Sequence, residues 1–249
     1  MRRFAVIGGT GITQLAGLQL VDTHNIDTPY GSTSKEIVEG RVGECAVFFL
    51  QRHGAPLAIP PHKINYRANL WALKSLAVSD VVAINAVGGI TPDMVTGALV
   101  IPDQIIDYTW GREHSVDDGS NGELQHIDFS HPFTPLLRAE LLRAAVDKNI
   151  PCLAPATLGV TQGPRLESAA EIVRMERDGC DLVGMTSMPE AALALELGMA
   201  YAALCMVVNP AAGKSDQPIS LQGMRESLSK NAAVVATLLA YLLSSSASA

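Results

Sequence analysis

The chain lacks the patterns that mark several common functional classes. Its four cysteines form no CxxC pair and its six histidines show no HExxH or Cys/His ligand spacing, so no metal site is predicted. No cluster of lysine and arginine accompanies the net charge of -7, which excludes the usual signature of a nucleic-acid partner. No signal-peptide pattern follows Met1, and the apolar stretch 232–243 is too short for a membrane span. We therefore expect a cytoplasmic protein with reduced thiols and no membrane partner.

Apolar runs alternate with helical patterns along the chain, and no linker or repeat interrupts them. Strands are predicted at residues 4–7, 46–50, 81–85, 182–185 and 202–208. Helices are predicted at residues 66–76, 135–146, 168–177 and 189–197, with a closing helix from Leu221. A polar surface loop is expected at 115–125 and a disordered tail at about 244–249. The alternation predicts one α/β domain over residues 1–249, with helices on the faces of a sheet.

The first predicted strand ends at Gly8-Gly9-Thr10-Gly11, where glycines let the backbone approach a bound anion. Position 14 holds Gln14 instead of the third glycine of a dinucleotide fingerprint, and no Gly-Lys-Ser/Thr of a Walker A loop is present. No GxSxG nucleophile motif occurs either. Taken alone, this corner is equally compatible with a tight turn and with an anion site.

Two further corners follow predicted strands. Arg52-His53-Gly54 offers the permanently charged guanidinium of Arg52 and a second possible donor in His53. Such an Arg-His pair is more often an exposed surface pair with no ligand. The segment 85–89 ends in two glycines and begins with Asn85. Ligands of open α/β sheets bind at the edge where such corners meet, so the three corners together favour one phosphate site.

Five motifs occur in the order and spacing of one known protein family. Each motif alone is weak evidence for that family, but the five together are very specific. They are Gly8-Gly9-Thr10-Gly11, Arg52-His53-Gly54, Asn65-Tyr66-Arg67-Ala68-Asn69, Gly163-Pro164-Arg165 and Gly184-Met185-Thr186-Ser187-Met188-Pro189-Glu190. Together, over roughly residues 4–243, the chain resembles the trimeric purine-nucleoside and methylthioadenosine phosphorylases. The resemblance implies a twisted mixed β-sheet surrounded by helices, and a homotrimer or a dimer of trimers. It implies no cofactor, because inorganic phosphate is the co-substrate.

The resemblance also implies site residues, each by its match to a family motif. Phosphate would be bound by Thr10, Arg52, His53, Asn85, Ala86 and Thr186. The nucleoside would be bound by Leu166, Glu167, Met185, Asn209, Pro210, Ala211, Leu221, Met224 and, in a neighbouring subunit's site, His126. Three positions depart from many relatives: Leu57 replaces a histidine, Leu166 a phenylalanine, and Asn85 the threonine of the methylthioadenosine branch.

Among these residues Asn209 is expected to act catalytically, by stabilising the departing purine. Glu167, Asn209 and Leu221 are expected to set specificity for a 6-oxopurine base and a 5'-methylthio sugar. The substrate would be S-methyl-5'-thioinosine, with methylthioadenosine, inosine or guanosine as alternatives. Without the resemblance, Asn209 fits a turn, Glu167 a helix start, and Leu221 and Met224 plain core. A dinucleotide-binding oxidoreductase and a non-catalytic nucleoside-binding protein stay open as other classes.

Overall fold

The computed structural model describes residues 2–9, 17–54, 58–120 and 126–245. Thr10 and Gly11 of the glycine corner, Leu57 and residues 246–249 of the expected tail lie outside the described residues.

Eleven strands of the described chain form one mixed sheet. They are β1 (Phe4–Gly8), β2 (Gln19–His24), β3 (Ile37–Val42), β4 (Cys45–Gln51), β5 (Asp80–Gly89), β6 (Leu99–Val100), β7 (Gln104–Asp107), β8 (Cys152–Leu153), β9 (Thr157–Val160), β10 (Leu182–Gly184) and β11 (Ala200–Pro210). The main path runs β2-β3-β4-β1-β5-β10-β9-β7, and β11 pairs with β5 and β6. Because β1, β4, β5 and β11 are parallel, their carboxyl ends meet at one edge.

Helices cover both faces of this sheet. They are α1 (Tyr66–Ser75), α2 (Pro135–Asp147), α3 (Ala169–Arg177), α4 (Ser187–Glu196) and α5 (Leu221–Ser245), with a 3₁₀ turn at Pro61–Lys63. Helix α3 begins with a capping box, in which Ser168 and Glu171 satisfy each other's backbone N–H groups. Residues Ala5 and Ile7 of β1 pack with α1 and α4, whereas Phe4 and Val6 pack with α2 and α5. The predicted α/β architecture is confirmed.

The expected end of the central strand is wrong. Instead of breaking at Gly88-Gly89, β5 continues to Gly89 and pairs there with both β10 and β11. The two glycines are needed because neighbours approach closely. A Cβ on Gly89 would lie 1.9 Å from the Met94 carbonyl oxygen, and one on Gly88 would lie 3.1 Å from Val183.

The last helix is longer than the apolar stretch predicted from the sequence. Helix α5 has 25 residues and is, by length and composition, apolar enough to cross a membrane. Its residues Val235, Leu238 and Leu239 are buried in the core with the strands and α2, as in the core helix of a folded domain. The helix includes Ser244 and Ser245, the first two residues of the expected tail.

Candidate active site

A cavity of about 190 Å³ lies at the edge where the carboxyl ends of the parallel strands meet. Its wall is formed by Gly9, Arg52, His53, Pro61, Ala86, Val87, Gly88, Leu166, Glu167, Val183, Gly184, Met185, Thr186, Val208, Asn209, Ala211, Ala212, Ile219, Met224 and Leu228. Ten residues predicted for the site are among them: Arg52, His53, Ala86, Leu166, Glu167, Met185, Thr186, Asn209, Ala211 and Met224. The topology therefore brings together segments that are far apart in the sequence.

Arg52 follows β4 and lines the cavity, but most of its guanidinium N–H groups bond to buried groups of the protein. The side chain is 0% exposed, with Nε 2.6 Å and Nη2 2.8 Å from the carboxylate of Glu190, and Nη1 3.1 Å from the Ile84 carbonyl oxygen. Part of the guanidinium is therefore bonded to the protein itself, and the prediction that Arg52 binds phosphate depends on its remaining N–H groups. Guanidinium carries five N–H donors, so one on Nη1 and one on Nη2 stay uncommitted among the described residues.

Glu190, which the sequence analysis did not assign to the site, completes this buried ion pair. It is 0% exposed and also accepts a hydrogen bond of 2.9 Å from the Tyr201 hydroxyl. Burial alone lowers the pKa of Arg52, but the adjacent Glu190 carboxylate outweighs burial and raises it. The site thus holds a permanent positive charge beside Gly9, where a Cβ would lie 2.9 Å from Arg52 Nη1.

His53 presents different chemistry from the expected second donor. Its Nδ1 lies 2.8 Å from the Ile59 carbonyl oxygen, which can only accept, so Nδ1 carries the proton. Burial lowers the pKa of His53, and the ring is neutral at pH 7. Nε2 is then an acceptor. A neutral imidazole of this kind suits the O–H group of a partly protonated phosphate.

Asn85 does not line the cavity, contrary to its expected contact with phosphate. It is 3% exposed, its Nδ2 donates to Ser187 Oγ at 2.8 Å, and its Oδ1 accepts from Thr186 Oγ1 at 3.3 Å. Because β5 runs on past Asn85, this side chain is buried behind the wall. It supports Thr186, which does line the cavity.

The cavity wall also carries a carboxylate and an amide. Glu167 Oε1 accepts a hydrogen bond of 2.6 Å from Thr161 Oγ1, and Asn209 Nδ2 donates to the Pro210 carbonyl oxygen at 2.6 Å. A bulge between Val207 and Asn209 shifts the register of β11 just before the amide. Pro210 is not part of the cavity wall, but its carbonyl group holds the Asn209 amide that lines it.

Arg112 holds two wall segments together, and the sequence analysis missed it. Its Nη1 donates to the carbonyl oxygens of Met185 and Met188, and its Nη2 donates to those of Thr161 and Gln162. Burial lowers the pKa of this guanidinium. In the sequence, Gly111-Arg112-Glu113 has the polar composition of a surface loop, so no local signal marks its role.

The apolar end differs in detail from the expected one. Met224 and Leu228 of α5 line the cavity, but Leu221 is 72% exposed and stands outside its wall. Ile219, two residues earlier, lines the cavity instead. Leu221 is the first residue of α5, and its high exposure leaves its side chain largely in solvent. His126 is exposed and does not line the cavity of its own chain.

The site combines a fixed cation, a neutral imidazole, an apolar wall, and a carboxylate beside an amide. Such a set can hold an anion at one end and a polar ring edge at the other, with apolar contact between them.

Comparison with known proteins agrees with this arrangement. The model of the Phosphorylase superfamily matches residues 3–244. A probable S-methyl-5'-thioinosine phosphorylase of Pseudomonas syringae pv. tomato is 48% identical over 246 residues, which cover 99% of this chain and 100% of the relative. A 6-oxopurine nucleoside phosphorylase of Pyrococcus furiosus is 41% identical over 244 residues, covering 96% and 91%. The solved methylthioadenosine phosphorylase from Schistosoma mansoni in complex with adenine has a TM-score of 0.95 at 30% identity, covering 100% of this chain and 93% of that chain.

Proposed function

The chain belongs to the phosphorylase superfamily as a purine-nucleoside phosphorylase, and we propose that its substrate is S-methyl-5'-thioinosine. The products are hypoxanthine and 5-methylthioribose 1-phosphate, and the reaction serves purine salvage. One observation carries the proposal: Glu167 and Asn209 line the same cavity as the apolar residues Ile219 and Met224. The first pair suits a 6-oxopurine edge, and the second pair suits a thioether.

In the proposed reaction a phosphate oxygen forms a bond to the anomeric carbon while the bond from that carbon to purine N9 breaks. The sugar becomes cationic and the purine anionic, so the protein must position phosphate and stabilise the leaving base. Arg52, His53, Thr186 and the backbone at Ala86 would hold phosphate, together with Thr10. No covalent nucleophile and no cofactor are needed, because phosphate is the nucleophile.

Asn209 would stabilise the leaving purine. Its Nδ2 has two N–H groups, of which one is bonded to the Pro210 carbonyl oxygen. The other can donate to O6, while Oδ1 accepts a hydrogen bond from N7–H once solvent has protonated the departing base at N7. Met185 would pack on the ribose and Leu166 beside the base.

The 5' end of the site should prefer a methylthio group to a hydroxyl. Ile219, Met224 and Leu228 offer no hydrogen-bond partner, so a buried 5'-hydroxyl would be left unsatisfied. The thioether instead gains apolar contact with Met224. Since Ile219 lines the cavity and Leu221 does not, Ile219→His should improve inosine use more than Leu221→His in the isolated chain.

A substrate panel tests the proposed function. Methylthioinosine, methylthioadenosine, inosine and adenosine are each incubated with and without inorganic phosphate, and free base and phosphate consumption are measured. We expect strictly phosphate-dependent release of hypoxanthine, with methylthioinosine favoured over inosine by about 10-fold or more. Binding without phosphate consumption would indicate a nucleoside-binding protein. Equal kcat/KM for inosine and methylthioinosine would disprove the 5' assignment.

We also propose a homotrimer, or a dimer of trimers, in the cytoplasm. The family resemblance supports the trimer and implies that His126 reaches a neighbour's 5' pocket, and the four free thiols fit a reducing compartment. Sedimentation should give the mass of three chains or a multiple of it. His126→Ala should raise the nucleoside KM without changing that mass. A fully active monomer would contradict the proposal.

A further inference from the structure

Thr161 lies outside the helices and strands, yet both of its backbone polar groups are hydrogen-bonded. It directly follows β9, its N–H donates to the Gly184 carbonyl oxygen at 2.8 Å, and its own carbonyl accepts from Arg112 Nη2 at 3.1 Å. Of these two partners, Gly184 is part of the cavity wall, and Arg112 also donates to the carbonyl oxygen of the wall residue Met185. The position of the Thr161 hydroxyl follows from that backbone, because a β-branched side chain has few rotamers.

The single proton of this hydroxyl goes to Glu167. Thr161 Oγ1 lies 2.6 Å from Glu167 Oε1 and 3.4 Å from the Gly184 carbonyl oxygen. The shorter contact, to a carboxylate, is the stronger one. Within the described residues Glu167 Oε2 has no hydrogen-bond partner. One oxygen is thus held in place and the other is available to a ligand.

Glu167 needs such an anchor because it lies between two cavities. It lines both the nucleoside cavity and a second cavity of about 440 Å³, whose wall includes Thr161, Arg165 and Arg174. On that second side Arg165 is exposed and paired with Glu171, to which both of its Nη atoms donate at 2.8 Å, and the charge of Glu167 acts on it as a smaller contribution. A glutamate has three rotatable bonds, so without an anchor its carboxylate is free to turn out of the nucleoside cavity into the second one.

We infer that Thr161 is a positioning residue for base recognition: its hydroxyl holds the Glu167 carboxylate where the free oxygen accepts N1–H of a 6-oxopurine. The inference deepens the proposed function and rests on it. Thr161 touches no substrate and acts through Glu167. A purine that donates at N1 gains from this arrangement, whereas a purine with a lone pair at N1 meets a carboxylate that cannot turn aside.

The test compares Thr161→Val, which keeps the shape and loses the hydroxyl, with Thr161→Ser, which keeps the hydroxyl. In Thr161→Val, kcat/KM for methylthioinosine should fall roughly 10-fold, chiefly through KM, because the N1–H contact exists in both ground and transition states. Activity on methylthioadenosine should fall far less, so the ratio of the two substrates drops. Thr161→Ser should retain the wild-type ratio.

A second background shows whether Thr161 acts through Glu167. In Glu167→Ala, adding Thr161→Val should change neither substrate further, because the group that Thr161 positions is gone. Equal losses on both substrates, an unchanged ratio, or an additive loss in the Glu167→Ala background would overturn the inference. The proposed function fails separately, if the wild type itself shows no preference for methylthioinosine.

Discussion

Replacing Arg52 by alanine is expected to destabilise the protein by about 3–5 kcal/mol and to abolish phosphate saturation in the protein that still folds. Arg52 and Glu190 are both 0% exposed and form a buried ion pair. Removing the guanidinium leaves the Glu190 carboxylate buried with only the Tyr201 hydroxyl as a donor side chain among the described residues. Unfolding in urea at pH 7 measures the loss.

A matched double variant separates stability from phosphate binding. Arg52→Met combined with Glu190→Gln removes both buried charges, while the glutamine carbonyl can still accept from Tyr201. Its unfolding free energy should recover most of the loss, because replacing a whole buried ion pair is often near neutral. Its rate should stay lower by about 100-fold or more, since the cation at the phosphate end is missing.

Arg52→Lys is the milder control, because it keeps the charge but cannot form both bonds to Glu190. It should show a raised phosphate KM with a smaller loss of stability. If the double variant is saturated by phosphate at the wild-type concentration, Arg52 does not belong to the phosphate site. If Arg52→Ala is as stable as the wild type, the ion pair contributes nothing to the fold.

The sequence predicted the parts of this site that are local in the chain. Gly9, Arg52 and Asn209 each follow an apolar run with strand character, and that pattern places them at one sheet edge. The partner of Arg52 could not be predicted, because Glu190 lies 138 residues away and only the folded sheet brings the two together. Arg112 was missed for the same reason: its partners are carbonyl groups, which carry no sequence signal.

The wrong predictions for α5, β5 and β2 also come from contacts and burial that the local sequence pattern does not show. Helical spacing in α5 predicts a helix but cannot tell which apolar residue faces a cavity, so Leu221 was chosen where Ile219 lines the wall. The glycines of β5 were interpreted as a break, although close neighbours on both sides require them within the strand. Strand β2 was not predicted because it is an exposed edge strand with almost no buried residues to give an alternating pattern.

The wild-type protein is expected to prefer methylthioinosine over methylthioadenosine by about 10⁴ in kcat/KM. A 6-oxopurine has a donor at N1 and an acceptor at O6, which match the Glu167 carboxylate and the Asn209 amide. Adenine reverses both groups. From the sequence, Asn209 alone could turn its amide to suit adenine. In the structure the atom 2.6 Å from the Pro210 carbonyl oxygen must be the nitrogen, so this bond opposes the flip.

A combined Glu167→Ser, Asn209→Asp and Ala211→Asp variant should reverse part of this preference, because it removes the carboxylate that faces N1 and adds carboxylate acceptors for the 6-amino group. The Asn209→Asp change removes the bond to the Pro210 carbonyl, so the new carboxylate would turn away from that carbonyl, towards the 6-amino group, which donates to it. Ala211 lines the cavity and is 3% exposed, so its new carboxylate is buried and costs stability unless the 6-amino group pairs with it.

Ala211→Asn in the same background is the control without that charge. We expect the ratio of methylthioadenosine to methylthioinosine kcat/KM to rise by roughly 100-fold or more, most in the aspartate version. Comparable values for the two nucleosides in the wild type would refute the base assignment and leave the phosphorylase class intact, since Arg52 and the phosphate end do not contact the base edge.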